Sequence, residues 1–411
     1  PFYLITGLYA QETKPLCYRE ILDASTPAPQ GWTLDKRVEV PAEQLGALSH
    51  KLGAKITRLT NTSFLYEKQA IQINVVDCET TPDAEALYQR FLSLHKGNKT
   101  FVLLDHLSVI EFTHTSFKTA VRAHYDLGFK PRRVTYQLSF SAAPLQKCNY
   151  MQWNPLFNLF LLWDQGNTQE TMLAQIKELS AQFQFGNTFY FRTIGQGTVP
   201  SEYTFDPYPE KKETDAFGEV FSYTFKEVPL KAGIPNIQVH ATVVSEAFTI
   251  TPSSRQSEEV LVKETSFWPS TDPVFVALAQ EITKNATTTQ QKIDALLQWL
   301  EPGKNIRYAG EQKGSRYGVE KVLEQKFGHC WDFSDCFITL CRALKIPSRQ
   351  VLGWCYGYSG HVWAEVLFEG QGWLAVDPTA NMACSSEYVP YLHTEDGEIS
   401  LIYTSRVTFQ Q

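Results

Sequence analysis

The run from Gly328 to Leu344, GHCWDFSDCFITLCRAL, together with the hairpin that follows it, leaves few folds open to this chain. Gly328 permits a tight backbone approach, and apolar residues at Phe333, Phe337, Leu340, Cys341 and Leu344 then recur at helical spacing. Cys330 therefore stands at a helix N-terminus, where unpaired backbone N–H groups and the positive end of the dipole favour a thiolate. Cys336 and Cys341 fall deeper in the same helix, beyond the reach of those N–H groups, and read as small core residues. Farther on, HVWAEVLF and GWLAVDP alternate as two strands across the turn EGQG, which makes a β-hairpin. His361 opens the first strand and Asp377 closes the second, so antiparallel pairing brings both to one end of the hairpin.

His329 precedes Cys330 directly and is not expected to be its partner. Adjacent residues at a helix start project about 100° apart, so a base should come from a facing element. Taken singly, His361 reads as a satisfied histidine at a strand start, and Asp377 before Pro378 as the cap of a turn. Joined to a helix-start cysteine, the two read as the base and the orienting carboxylate of a covalent acyl-transfer site. A zinc site built from Cys330, Cys336, Cys341 and His361 fits less well, because the cysteine gaps do not match the short chelating loops that structural zinc uses. No metal and no cofactor is expected.

These residues resemble the transglutaminase-like superfamily of cysteine enzymes across residues 272–380. The helical ALAQEIT and ALLQWL and the segment NIRY come first. Gly-x-Cys-x-Asp follows at 328–332, Arg-Ala-x-x-Ile-Pro-x-Arg at 342–349, His-x-Trp-x-Glu at 361–365, Gly-Trp at 372–373 and Asp-Pro-Thr at 377–379. The resemblance implies Cys330 as nucleophile, His361 as base and acid, and Asp377 as the group that orients His361. It implies a fold related to papain, with the cysteine helix packed on an antiparallel sheet. Asp332, Arg342, Arg349, Trp363, Glu365 and Trp373 would be structural support. The implied chemistry is thiolate attack on an amide carbonyl, giving a thioester resolved by water or an amine. The Cys330 N–H is the first candidate for the oxyanion, with Gln325 or Tyr308 as a second donor. Cross-linking members of the superfamily carry calcium sites and extra β domains, and no EF-hand-like loop stands here. Peptide N-glycanases carry paired C-x-x-C zinc motifs ahead of the nucleophile, and this sequence has none. Both specialised readings recede.

At 411 residues the chain exceeds what one hydrophobic core serves, so several domains are expected. The fold class is α+β throughout. Residues 1–145 alternate strands (KRVEV, AIQINVVDC, TFVLLDH, RRVTYQLSF) with helices (DAEALYQRFLSLH, FKTAVRAHYDL) as one α+β domain. Residues 146–255 hold a second α/β segment (LFNLFLLW, TQETMLAQIKELSAQF, TFYFRTI) and a β-rich module. In that module EVFSYTFKEV and IQVHATVVSEAFTI alternate, DPYPEKKETD is a solvated loop, and TPSSRQSEE is a hinge. Residues 256–411 are expected to form the catalytic domain that the resemblance to the transglutaminase-like superfamily implies. Inside it, Asp272 with Pro273, and Thr288 or Thr289, open two helices.

The net charge of −7 is spread along the chain without a basic stripe, so no nucleic-acid partner is expected. No window approaches the ~18 apolar residues of a membrane span. FYLITGLYA reads as a first strand, and a start at Pro1 fits initiator removal or a trimmed precursor. Eight cysteines are too sparse for a disulfide scaffold, a mild lean towards a reducing, cytoplasmic compartment, while oligomeric state is not specified. The first functional hypothesis is a cysteine peptidase or amidase acting on a peptide or protein amide. The second is an acyltransferase with an amine acceptor. The third is an interaction protein that uses the fold as scaffold, against which the complete Cys330, His361 and Asp377 set argues.

Overall fold

Burial alternates along Ile56–Tyr66, Gln69–Cys78 and Ile237–Glu246, and the capped apolar helices pack against antiparallel sheets in the computed structural model. The structure describes residues 18–22, 27–148, 174, 178, 189–194, 202–226, 228, 230–231, 234–310, 316–355, 360–403 and 408–410. The expected first strand in FYLITGLYA, the apolar LFNLFLLW and almost all of the helix TQETMLAQIKELSAQF lie outside them. Two compact units divide the chain, residues 1–132 and 133–411.

The first unit runs β1 (Trp32–Glu39), α1 (Ala42–Leu52), β2 (Ile56–Tyr66), β3 (Gln69–Cys78), α2 (Thr81–Leu94), β4 (Val102–Asp105), β5 (Ser108–Thr113) and α3 (Phe117–Asp126). Its antiparallel sheet has the order β1-β2-β3-β5-β4. Thr80 and Ser116 cap α2 and α3 by accepting backbone N–H groups from Asp83 and Thr119. Phe64, Ile71, Ile73 and Phe112 bury one part of the sheet against Ala120 and Ala123 of α3. Val76 and Val109 bury another against Leu87 and Phe91 of α2.

The second unit contains β6 (Arg133–Cys148), β7 (Glu202–Asp206), β8 (Ile237–Glu246), β9 (Ile250–Pro252), α4 (Pro273–Ile282), α5 (Thr289–Leu300) and α6 (Cys330–Ala343). After them come β10 (Ser348–Cys355), β11 (Gly360–Phe368), β12 (Gly372–Asp377), β13 (Tyr388–Thr394), β14 (Ile399–Tyr403) and β15 (Thr408–Gln410). Asp272 caps α4 by accepting the Val274 N–H, and Thr288 with Gln291 forms a capping box on α5.

One sheet runs β9-β12-β11-β10-β13, all antiparallel, with Met382–Ala383 added beside β12. Ala364, Val366, Leu374 and Val376 of this sheet pack on Phe333, Phe337 and Leu340 of α6 and on Ile293, Leu296, Leu297 and Leu300 of α5. The cysteine helix thus lies on an antiparallel sheet, in an α+β fold. A second sheet has the order β14-β6-β8-β7, with β15 also on β6. Its Phe140 and Val239 share a cluster with Cys330, Trp331, Trp354 and Tyr391. Trp354 is the hub there, 4.9 Å from Phe140 and stacked at 4.3 Å on Tyr391. Residues from 133–246 therefore help to enclose the cysteine.

Two local readings change. Within DPYPEKKETD, Lys211–Thr214 is a strand paired with Val220–Phe225, exposed at all four positions, so its charges are solvated but its backbone is in a sheet. Within the stretch read as a hinge, β9 reaches Pro252 and pairs with Gly372. Gly372 is required at that edge: its φ is +138°, and a Cβ would sit 1.9 Å from the Thr251 carbonyl oxygen.

Candidate active site

The start of α6 is fixed by Asp332. Its carboxylate accepts the His329 N–H at 2.8 Å and the Tyr317 N–H at 2.6 Å, an acid in the first turn as the dipole favours. Gly328 makes room for it, since a Cβ there would lie 2.7 Å from the Asp332 Cβ. Arg307–Tyr308 pairs in parallel with Phe327–Gly328 and brings Tyr308 alongside the helix start. Cys330 follows as the first helical residue, 2% exposed.

His361 lies one residue inside β11, and Asp377 ends β12 one step past the Ala364–Val376 pair. They are diagonal neighbours across the hairpin end, and His361 Nε2 meets Asp377 Oδ2 at 2.8 Å. The other Asp377 oxygen accepts the Thr379 N–H at 2.8 Å and the Thr379 hydroxyl at 2.7 Å. Tyr388 O–H donates to Oδ2 at 2.6 Å. His361 is stacked towards Trp363, with ring centroids 6.2 Å apart, and its side chain is 14% exposed. The three residues singled out in the sequence thus gather at one place.

His329 differs from expectation. Its Nδ1 lies 3.2 Å from Cys330 Sγ. The helical angle between neighbours does not apply to it, because His329 is the N-cap, with extended backbone (φ −108°, ψ −177°), and only Cys330 is inside the helix. Its ring folds back over the helix start and stacks on Tyr308 at 5.5 Å and 25°.

Burial opposes a thiolate at Cys330, but the imidazoles of His329 and His361 outweigh it and bring the thiol down to about 6. Burial likewise opposes the His361 charge, and Asp377, seconded by the Cys330 sulfur, lifts it to about 10. Burial pulls Asp377 upwards, while His361, Tyr388 and Thr379 hold it below the usual carboxylate range. Burial raises the thiols of Cys336, Cys341, Cys355 and Cys384, and takes Cys78 to about 11. Cys336 and Cys341 are core residues, 1% and 0% exposed.

Of the two oxyanion candidates, Gln325 spends its amide on the Phe327 carbonyl at 2.8 Å, while Tyr308 is held against His329. The support residues do structural work. Arg342 donates to the carbonyls of Lys263, Ser348 and Glu395. Arg349 pairs with Glu365 at 2.7 Å and lies over Trp373. Thr379 and Tyr388 were not singled out in the sequence. Thr379 was legible: proline 378 offers no N–H, so an Asp-Pro-Thr turn leaves the next N–H to the aspartate. Tyr388 arrives from β13, with no local signal. Among the described residues no three His, Cys, Asp or Glu side chains gather as a metal site, and no helix is long and apolar enough to cross a membrane.

Residues 276–378 match the transglutaminase-like superfamily. The chain is similar to the peptide-N(4)-(N-acetyl-beta-glucosaminyl)asparagine amidase of Drosophila melanogaster, 39% identical over 74 residues, 18% of this chain and 11% of that protein. It is similar to the uncharacterized protein YebA of Bacillus subtilis, 29% identical over 89 residues, 18% of this chain and 12% of that one. The chain thus spans about a tenth of the length of these curated relatives. Among solved structures it resembles one from Cytophaga hutchinsonii provisionally assigned as a cysteine protease, at 12% identity and a TM-score of 0.39, over 68% of this chain and 88% of that one. The amidase reading, set aside for want of C-x-x-C pairs, returns as a sequence relative, although the pairs are absent here.

Proposed function

From a transglutaminase-like segment at residues 276–378, we propose that this protein is a thiol enzyme that cleaves a peptide or protein amide through Cys330, His361 and Asp377. The observation that carries the reading is His361, bonded to Asp377 at 2.8 Å and set beside the Cys330 thiol, whose pKa it brings down together with His329. Asp377 fixes Nε2 of His361 and keeps the ring charged, which leaves Nδ1 for the reacting groups.

In the first half-reaction the Cys330 thiolate attacks the amide carbonyl. The developing oxyanion is met by the Cys330 N–H, which as the first helical N–H has no acceptor within the helix. The C–N bond breaks, the leaving amine takes the His361 proton, and a thioester remains. In the second half-reaction His361 takes a proton from the incoming nucleophile, and the C–S bond breaks. Water as nucleophile makes the protein a peptidase or amidase, and an amine makes it an acyltransferase. The similarity to an asparagine amidase supports an amide substrate and hydrolysis.

The test is to incubate the protein with a glutamine-containing and an N-glycosylated peptide, each with and without a primary amine, and to weigh the products. The expected product is the hydrolysed peptide in both conditions. A product heavier by the amine would reject hydrolysis in favour of transfer. No product, with an unreactive Cys330, would leave the protein an interaction scaffold.

A further inference from the structure

The sulfur of Cys330 has two imidazoles beside it, and the mechanism above employs one. Among the described residues Nδ1 of His329 lies 3.2 Å from Sγ, and His361, whose Nε2 is engaged with Asp377, also hydrogen-bonds the sulfur. A thiolate has no proton to donate, so where the sulfur is charged Nδ1 of His329 is the donor of this contact. The His329 ring is held for this. The backbone N–H of His329 goes to Asp332, its backbone carbonyl oxygen accepts the Phe333 N–H at 3.0 Å, and the ring stacks on Tyr308.

We propose that His329 is a second catalytic histidine, a fixed Nδ1–H donor that holds the charge of the Cys330 sulfur while His361 moves the protons. The proposal deepens the amide-cleaving reading and rests on it. During acylation Sγ bonds to the carbonyl carbon, the C–N bond breaks, the amine leaves with the His361 proton, and the His329 hydrogen bond slackens as the sulfur becomes a neutral thioester. During deacylation the nucleophile loses its proton to His361, and the C–S bond breaks. Its electron pair returns to sulfur, where the His329 N–H again donates to it. His329 loses no proton in either step. The titratable groups that act on this pair come from four other elements and from α6 itself: Tyr308, Cys355, His361, Asp377 and Asp332.

The experiment compares the pH dependence of iodoacetamide labelling at Cys330 in the full chain, in His329→Phe and in His329→Asn. Phenylalanine keeps a ring for Tyr308 and removes the donor. Asparagine offers an amide N–H in place of Nδ1–H and is a favoured helix cap. Loss of the donor in His329→Phe should move the rise of labelling up by about one pH unit, which makes labelling about tenfold slower on its acid side. His329→Asn should recover most of that loss. Superimposed profiles for wild type and His329→Phe would overturn the proposal, as would equal shifts in both variants. Alkylation needs no amide, so a shifted profile in a protein that cleaves no peptide would sink the amide reading and leave the sulfur contact standing.

Discussion

At Asp377 the two carboxylate oxygens divide the labour. Oδ1 is filled by the Thr379 N–H and hydroxyl, and Oδ2 takes His361 and Tyr388. The carboxylate is therefore rigid, and its charge rather than its shape is what His361 needs. Asp377→Asn preserves the volume and removes the charge. With its partner neutral, the His361 pKa falls, the thiolate loses support and the Cys330 pKa rises. Turnover of an amide substrate near pH 7 should drop by about a hundredfold or more, and because an amide NH2 cannot accept the hydrogen bonds that one carboxylate oxygen takes, thermal unfolding should shift downwards as well. Cys330, His361 and Asp377 were legible because each sits at the end of an element whose period is plain in the sequence. His329 was misread for the converse reason. Whether it lies inside or outside the helix decides where its ring goes, and a boundary of one residue is beyond what periodicity resolves.

Among the elements, α6 is anchored by a buried ion pair that sequence spacing does not announce. Arg316 donates to both oxygens of Asp335 at 2.7 Å, and Trp268 and Gln350 donate to the same carboxylate at 2.8 and 2.9 Å. All four side chains are buried. Asp335→Ala leaves the guanidinium without its partner in the core and should cost about 3–5 kcal/mol in urea unfolding. An unchanged midpoint would show that the pair does not hold the helix. The helices of this unit were readable from their caps, Asp272 and Thr288, and the hairpin from EGQG. β2 was not, because buried positions in its pattern are Thr60 and Thr62, hydroxyl residues that hide the alternation. β9 was hidden too, since Ile250–Pro252 runs into a Ser-rich stretch and earns its strand only by pairing with β12.

Across the whole molecule the site belongs to the second unit, and its enclosure draws on sequence far from the motifs. Tyr136 O–H donates to the Ser386 carbonyl at 3.0 Å and Ser245 to the Tyr388 carbonyl at 2.7 Å, so β6 and β8 brace the segment that carries Tyr388. Such pairings span more than a hundred residues and leave no local trace in the sequence. Among the six cysteines whose side chains the structure describes, one is set apart. The thiol of Cys330 comes down to about 6, while burial pushes Cys78, Cys336, Cys341, Cys355 and Cys384 up. A thiol with a lowered pKa is charged above that value, and His361 stays charged up to about 10, so the reactive ion pair should persist between the two. The most direct measurement is iodoacetamide labelling of the native protein as a function of pH, followed by peptide mapping. Cys330 should label first, its rate rising through about pH 6 where an ordinary thiol rises near 8.5, and Cys330→Ala should abolish the fast phase. A Cys330 that reacts no faster than Cys336, or a fast phase that survives Cys330→Ala, would contradict the account.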